Sequence, residues 1–277
     1  MTIREALEKA TKFLEENEIE NAKNDAKEIL KSTLDLSEEK LFLSREKKLA
    51  ESKVFFDKIS KRANHIPLQY ILGKVIFYES EFFIDENVLI PRQETEILVK
   101  QVIKFINKLK NRKIKVLDLC TGSGIIGISL AKKFREINII ASDISKKALK
   151  VAKKNAGSLK NISFIESNLF ENIKEKFNII ISNPPYISET EFNSLSLEVL
   201  KEPKIAITDK SDGLSFYKNI IEKAKDFLIQ NGEIFFEIGY GMEKDIIKIA
   251  ENNDFELREI KSDYNNVLRV INLRRKR

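Results

Sequence analysis

Lys115-Val116-Leu117-Asp118-Leu119-Cys120-Thr121-Gly122-Ser123-Gly124-Ile125-Ile126-Gly127 is the stretch on which the fold turns. A short apolar run broken by one acid leads into a loop of small residues, and a second apolar segment follows. The reading is strand, loop, helix. The loop spells G-x-G-x-x-G, a pattern whose glycines let backbone approach a ligand at a helix N-terminus. Asp118 decides which ligand. A carboxylate immediately before the loop would repel a pyrophosphate and attract an ammonium group, so a dinucleotide is disfavoured. S-adenosylmethionine has the ammonium group, a sulfonium and no phosphate.

Working outward, strands and helices alternate on both sides. Before the loop, a helix starting near Pro91 carries Leu98, Val99, Val102, Ile103 and Ile106 on one face. After it, residues 138–142, 162–166, 177–181 and 233–238 read as strands, 145–155 and 215–228 as helices, and a further helix starts at Met242. Strands near 255–260 and 267–271 complete the series. Such alternation implies a largely parallel sheet covered on both faces. Ligands on such sheets sit beyond the carboxyl ends of the strands.

Residues 2–63 have another character. Thr2 with Glu5 forms a capping box, Ala6, Leu7, Ala10, Phe13 and Leu14 follow helical spacing, and Ala22, Ala26, Ile29 and Leu30 repeat it. Ser37 caps a third helix, and Val54, Phe55, Ile59 and Arg62 lie on a fourth. Tyr70, Val75, Phe77, Phe82 and Ile84 alternate around Gly73 as a hairpin. The division expected is a helical domain over 1–66, a β-hairpin linker over 67–90 and a catalytic domain over 91–277.

Composition removes several function classes. One Cys, one His and no Trp among 277 residues leave no disulfide framework or Cys/His zinc cluster. Any Ser-His-Asp triad would have to use His65. The N-terminus lacks the apolar run of a signal peptide, and no apolar run approaches the roughly 18 residues of a membrane span. A cytoplasmic protein is expected. Of the net charge of +6, Arg274, Arg275, Lys276 and Arg277 carry four, and they read as a frayed, solvated end. Basic and acidic side chains nearly balance over residues 1–74, which is no footprint for a phosphate backbone.

The strand tips supply the candidate site. At the end of the second strand, Asp143 can accept both hydroxyls of a ribose. Asn168 and Leu169 follow the third, one suited to an adenine edge and the other to its face. The fourth tip is Asn183-Pro184-Pro185-Tyr186, where two prolines fix the backbone and cannot donate hydrogen bonds. That stiff turn aims the Asn183 side-chain oxygen and the Pro184 carbonyl at a group with two N–H donors, while Tyr186 packs against its planar body. A conjugated NH₂ attacks poorly, but a sulfonium is a very good leaving group, so position and alignment can carry the catalysis.

At these residues the chain resembles the PrmC/HemK protein methyltransferases. Segments in common are Pro67-Leu68-Gln69-Tyr70-Ile71-Leu72-Gly73, Ile90-Pro91-Arg92-Gln93-Glu94-Thr95-Glu96, the glycine loop, Asn183 to Tyr186, Glu202-Pro203, and Asp212-Gly213-Leu214-Ser215-Phe216-Tyr217. The resemblance implies an α/β fold with a Rossmann-like S-adenosylmethionine-dependent methyltransferase sheet, the helical bundle and the hairpin linker. It implies transfer of a methyl group to the N5 side-chain nitrogen of glutamine in the Gly-Gly-Gln loop of peptide chain release factors, with S-adenosylhomocysteine as product. By the resemblance, cofactor contacts would fall on Cys120, Thr121, Gly122, Ser123, Gly124, Asp143 and Leu169, to which the reading of the strand tips adds Asp118, Asn168 and Asn183. Substrate contacts and catalysis would fall on Asn183, Pro184, Pro185 and Tyr186, with no metal. The expected partner is the release factor alone, without nucleic acid or membrane, for a monomeric enzyme.

Three positions depart from the family pattern: Cys120 replaces a usual glycine, Gln93 a common proline and Asn168 a common aspartate. Pro91 through Glu96 reads either as a helix start with acidic first-turn residues or as part of the site, with Arg92, Thr95 and Glu96 as its members. Rival readings are a DNA amino-methyltransferase, for which no base-reading module is evident here, an RNA amino-methyltransferase that needs no such module, a dinucleotide oxidoreductase, and a non-catalytic binding module.

Overall fold

The computed structural model describes residues 1–109 and 113–276. Internal contacts divide the chain into two units, Met1–Lys74 with Ser196–Lys201, and Val75–Leu195 with Glu202–Arg277.

The first unit is built from α1 (Ile3–Glu16), α2 (Ala22–Leu34), α3 (Glu38–Leu43), α4 (Ser52–Ala63) and α5 (Leu68–Leu72). The capping box forms as the sequence expects: the Glu5 N–H donates to Thr2 Oγ1 at 3.2 Å and the Thr2 N–H to Glu5 Oε2 at 2.8 Å. Ala6, Ala10, Leu14, Ala26, Ile29, Leu30, Phe55 and Ile59 close one core. Arg62 is buried among them because it is paired. Its Nε donates to Asp25 Oδ2 at 2.6 Å and its Nη2 to Glu198 of the returning segment. Removing Asp25 from this buried pair would cost about 3–5 kcal/mol, whereas Glu198, with a 39% exposed side chain, adds a weaker, solvent-screened tie to the returning segment.

The hairpin differs from its expected form. Tyr70 lies on α5, which ends at Gly73 in the left-handed region (φ 70°). Strands β1 (Lys74–Phe77) and β2 (Ser80–Phe83) turn instead at Tyr78 and Glu79, with φ of 44° and 61°. A two-residue turn of this hand normally uses glycine or asparagine. Its absence of glycine hid it from sequence reading.

The second unit continues with α6 (Thr95–Ile106), β3 (Lys115–Leu119), α7 (Ile125–Lys133), β4 (Asn138–Asp143), α8 (Lys146–Ala156), β5 (Ile162–Glu166) and β6 (Phe177–Ser182). Two short helices, α9 (Glu189–Phe192) and α10 (Lys204–Ile207), precede α11 (Ser215–Phe227), β7 (Leu228–Glu237), α12 (Glu243–Asn252), β8 (Phe255–Ser262) and β9 (Leu268–Arg275). Seven strands form one sheet in the order β5-β4-β3-β6-β7-β9-β8. The first five are parallel, and β9 runs antiparallel to both neighbours. The chain leaves β3 toward one edge and returns past it to β6, so the tips of β3, β4 and β6 face the switch-point crevice.

Alternation along the strands sorts the core. Val116, Ile179 and Ile181 meet α6 and α7 on one face, whereas Leu117, Ile180, Ile234 and Phe236 meet α11 and α12 on the other. The basic end is not frayed as expected over its described part. Arg274 and Arg275 belong to β9 and pair with β7 and β8, while the Arg275 guanidinium donates to the Lys225 carbonyl at 3.0 Å. Arg277 lies outside the described residues.

Candidate active site

One cavity opens at the strand tips of the second unit, and its wall includes Cys120, Gly122, Asp143, Asn168, Leu169, Asn183 and Pro185. Asp143 ends β4, where burial pushes its carboxyl above the usual range against the pull of the Ser145, Gly122 and Ile144 N–H groups. Gly122 N–H donates to Oδ2 at 2.9 Å and Ser145 N–H to Oδ1 at 2.8 Å. Each carboxylate oxygen keeps capacity for a further donor. Gly122, at φ 55°, has nothing within 4 Å of where a Cβ would stand.

Asp118 behaves differently from the expectation of a direct ammonium contact. It is fully buried and absent from the cavity wall. Its Oδ2 accepts the Thr121 hydroxyl at 2.6 Å and the Gly127 N–H at 3.0 Å. A Cβ on Gly127 would stand 3.0 Å from that same oxygen, so glycine permits the close approach. Burial pushes Asp118 up to about 7. Thr121, Ser123 and Gly124 also lie behind the wall. They shape the loop, and Gly124 at φ 80° caps α7.

Cys120 is a non-glycine residue at φ 58°, in a region where glycine is at ease. Burial first, and the neighbouring Asp143 carboxylate second, raise its thiol well above the ordinary range. Asn168 gives its amide Nδ2 to Glu171 at 2.8 Å, which leaves its oxygen as the remaining acceptor.

The Asn-Pro-Pro-Tyr turn is braced from several elements. Ser182 Oγ donates to the Leu119 carbonyl at 2.9 Å, tying the tips of β6 and β3 together. Asn183 Nδ2 lies 3.4 Å from Thr95 Oγ1. Asn183 Oδ1 takes part in no hydrogen bond among the described residues, and Asn183 lines the cavity. Pro184 and Tyr186 are not in the wall. Tyr186 packs instead beside Gly239 and Met242, and the Tyr186 carbonyl would stand 2.4 Å from a Cβ at Gly213.

Several wall residues escaped the sequence reading, among them Val88, Leu89, Ile205, Ala206 and Phe216. A parallel bridge from Ile187 to Thr208, with the Ile187 N–H donating to the Ile207 carbonyl, brings Ile205 and Ala206 beside the turn. The available signal was segments that matched the family without an assigned role. Arg92 pairs with buried Glu202, whose other oxygen accepts the Ile90 N–H at 2.8 Å. Glu96 accepts the Tyr78 N–H at 3.0 Å and so ties the hairpin turn to α6.

Residues 95–240 match the family described as Methyltransferase small domain, and residues 5–73 match PrmC N-terminal domain. A Fusobacterium nucleatum protein named release factor glutamine methyltransferase is 39% identical, covering 95% of this chain and 76% of its own. The chain belongs to the release factor glutamine methyltransferase family. A Clostridium acetobutylicum member of the same name is 38% identical over 98% of both chains. In fold, the family member is similar to a crystal structure of a methyltransferase from Pyrococcus furiosus, with a TM-score of 0.53, 14% identity and coverage of 73% of this chain and 91% of that one. Among the described residues, no helix is long and apolar enough to cross a membrane.

S-adenosylmethionine, the group implied by the family, fits the wall. A strand-tip carboxylate with acceptor capacity suits a ribose diol, the void at Gly122 leaves room against the backbone, and Leu169, Pro185 and Phe216 offer apolar surface to a flat base.

Proposed function

We infer that the protein transfers a methyl group from S-adenosylmethionine to the side-chain amide nitrogen of the glutamine in the Gly-Gly-Gln motif of peptide chain release factors. The observation that carries this reading is the unused Asn183 Oδ1 in the same wall as Asp143, which joins an acceptor for an amide to an acceptor for a ribose. When bound, the cofactor supplies a methyl group on a sulfonium. Asp143 would hold the ribose, Asn168 and Leu169 the adenine, and the loop from Cys120 to Gly124 the methionine end. Asp118 would act through the loop by fixing Thr121 and Gly127.

Asn183 Oδ1 and the Pro184 carbonyl would accept the two N–H groups of the glutamine amide. An amide nitrogen is a weak nucleophile because its lone pair is delocalised, so holding it in line is the main service the turn can give. Both oxygens also favour positive charge as it develops on nitrogen. The proton can leave after transfer. Tyr186 would keep the turn rigid from behind.

The domain reading extends this. The helical unit, near neutral in charge, would dock on a folded region of the release factor, since a glutamine side chain alone offers little to recognise. The chain would work as a monomer in the cytoplasm, without binding nucleic acid. The test is incubation of the purified protein with methyl-labelled S-adenosylmethionine and, separately, a release factor, DNA and RNA. Label in the release factor, lost when its Gly-Gly-Gln glutamine is replaced, is the expected result. Label only in nucleic acid would overturn the reading.

A further inference from the structure

Glu237 ends β7 beside the Asn-Pro-Pro-Tyr turn, yet it falls in none of the matching segments named above and does not line the cavity. It is 2% exposed, and its Oε2 has no hydrogen-bond partner among the described residues. The Thr95 and Asn183 side chains adjoin its carboxyl and lower its proton affinity. Thr95 is equally buried at the start of α6, and its Oγ1 is the atom that Asn183 Nδ2 faces. Three residues remote in the chain therefore meet behind the turn.

We propose that Glu237 and Thr95 are positioning residues that fix which way round the Asn183 amide sits, turning Nδ2 inward and leaving Oδ1 as the acceptor for the substrate amide. The inference rests on the reading of Asn183 as the residue that receives that amide. An ionised carboxylate can only accept hydrogen bonds, so both neighbours must donate to it. The Thr95 hydroxyl has a single proton. Once that proton is given to Glu237, the hydroxyl oxygen can only accept from Asn183, and only Nδ2 can supply the donor. An asparagine amide has no intrinsic preference between its two orientations. The difference matters here, because a flipped Asn183 would present a donor to a substrate group that is itself a donor.

Protonation of Glu237 removes the constraint. A carboxylic acid can donate to Asn183 Oδ1, and the amide can then rotate its NH₂ outward. The groups facing Glu237 are Glu94, which raises its proton affinity, Arg269, which lowers it, and the buried rings of Tyr186 and Tyr217. Burial is the largest influence, and Glu237 is pushed up to about 7. The form that orders Asn183 is the ionised one, so transfer is gained as pH rises through the neutral range and lost as it falls.

The test compares the full-length wild type with Glu237→Gln, Glu237→Asp, Thr95→Val and Asn183→Ala, measuring kcat on a release factor across the neutral range and calorimetric affinity for S-adenosylmethionine. Glu237→Gln is close to isosteric and removes a buried charge, so it should fold, and a thermal melt checks this. Its glutamine can face Thr95 with either a donor or an acceptor, so orientation is no longer imposed. Expected is a fall in kcat of about tenfold or more at the alkaline end, a profile without the acid limb, and cofactor affinity within about twofold of wild type. Glu237→Asp should recover the acid limb in part, and Thr95→Val should lower kcat in the same direction.

Glu237→Gln with wild-type kcat and an intact acid limb would overturn the proposal. So would a limb that survives in Glu237→Gln and disappears in Asp118→Asn, since Asp118 is likewise pushed up to about 7. Full activity in Asn183→Ala would remove the reading of Asn183 itself. An inactive Asn183→Ala beside an unaffected Glu237→Gln would sink the positioning role alone.

Discussion

Two strand tips of the same sheet carry a buried carboxylate, Asp118 on β3 and Glu237 on β7, and their partners differ. Each has one oxygen without a hydrogen-bond partner among the described residues, and burial pushes each up to about 7. Asp118 takes its donors from its own loop, the Thr121 hydroxyl and the Gly127 N–H. Glu237 has its polar neighbours on other elements, Thr95 at the start of α6 and Asn183 after β6. The same group in the same kind of place therefore does two jobs. One shapes the backbone that borders the cofactor, and the other is proposed to aim a side chain at the substrate.

The largest effect should come from Asn183→Ala, on the Glu237 side of this comparison. Loss of a preorganised hydrogen-bonding group at a reacting centre typically lowers kcat by about 10²–10³-fold. Cofactor affinity should hardly change, because the Asp118 loop and Asp143 are untouched. Asp143→Ala should give the converse, weaker cofactor binding with residual transfer at saturation. Calorimetry paired with methyl incorporation checks both, and loss of cofactor binding in Asn183→Ala would erase the division between the two tips.

Asp118→Asn tests the other side. An acid whose folded pKa is raised contributes most to stability below its unfolded value, 3.8 here, and that contribution is lost as pH rises toward about 7. Asparagine keeps an acceptor for Thr121 and Gly127 without the charge. The variant should match wild type in strong acid and exceed it above neutrality by roughly 2–4 kcal/mol, read from denaturant midpoints. Cofactor affinity should fall only slightly. A loss of tenfold or more would return to Asp118 the ammonium contact that its sequence position suggests.

Gly213→Ala acts on the Asn-Pro-Pro-Tyr turn while sparing the glycine loop. A Cβ there would meet the Tyr186 carbonyl at 2.4 Å, and φ is 85°. Left-handed strain alone costs about 1–2 kcal/mol, and the clash adds to it, so a loss of about 2 kcal/mol in stability is expected. The turn should shift before the sheet melts. Reduced kcat with retained cofactor binding is the outcome that would sharpen the comparison, and equal loss of both would blur it.

What the sequence made legible follows from how far partners lie apart. The strand, glycine loop and helix around Asp118 are one continuous run, so their order could be read directly, as could Asp143 at the next tip. Even there, burial was not visible, and the expected contact of Asp118 with the ligand became a contact with its own loop. Glu237 offered one signal, a carboxylate at the end of the apolar run Ile234-Phe235-Phe236, which asks what it is paired with. Its partners come from other elements of the sheet and its helices, and no local spacing points to them. Arg92 and Glu202 show the same limit: each stood in a matching segment, and only the fold reveals that they pair. The turn at Tyr78 and Glu79 was hidden for another reason, since it takes left-handed geometry without the usual residue types.

The smallest effect concerns Cys120, which borders the Asp118 loop and stands where the family usually has glycine. At φ 58° a non-glycine residue carries strain of about 1–2 kcal/mol, which Cys120→Gly would release. Against that, glycine loosens the unfolded chain by about 0.4–1 kcal/mol. The balance favours the variant by about 0.5 kcal/mol, a rise in Tm of about 1–2 °C for a chain of this size. Removing the thiol also widens the wall next to Gly122, where space is already open, so cofactor affinity should change by less than about threefold, roughly 0.6 kcal/mol. The raised thiol pKa gives an independent check in the wild type, because little thiolate forms near neutrality and alkylation by iodoacetamide should be much slower than for a free thiol. Prior saturation with S-adenosylmethionine should slow it further. Fast alkylation unaffected by cofactor would place the thiol outside the cavity and leave the loop at β3 with no ligand-facing side chain of its own.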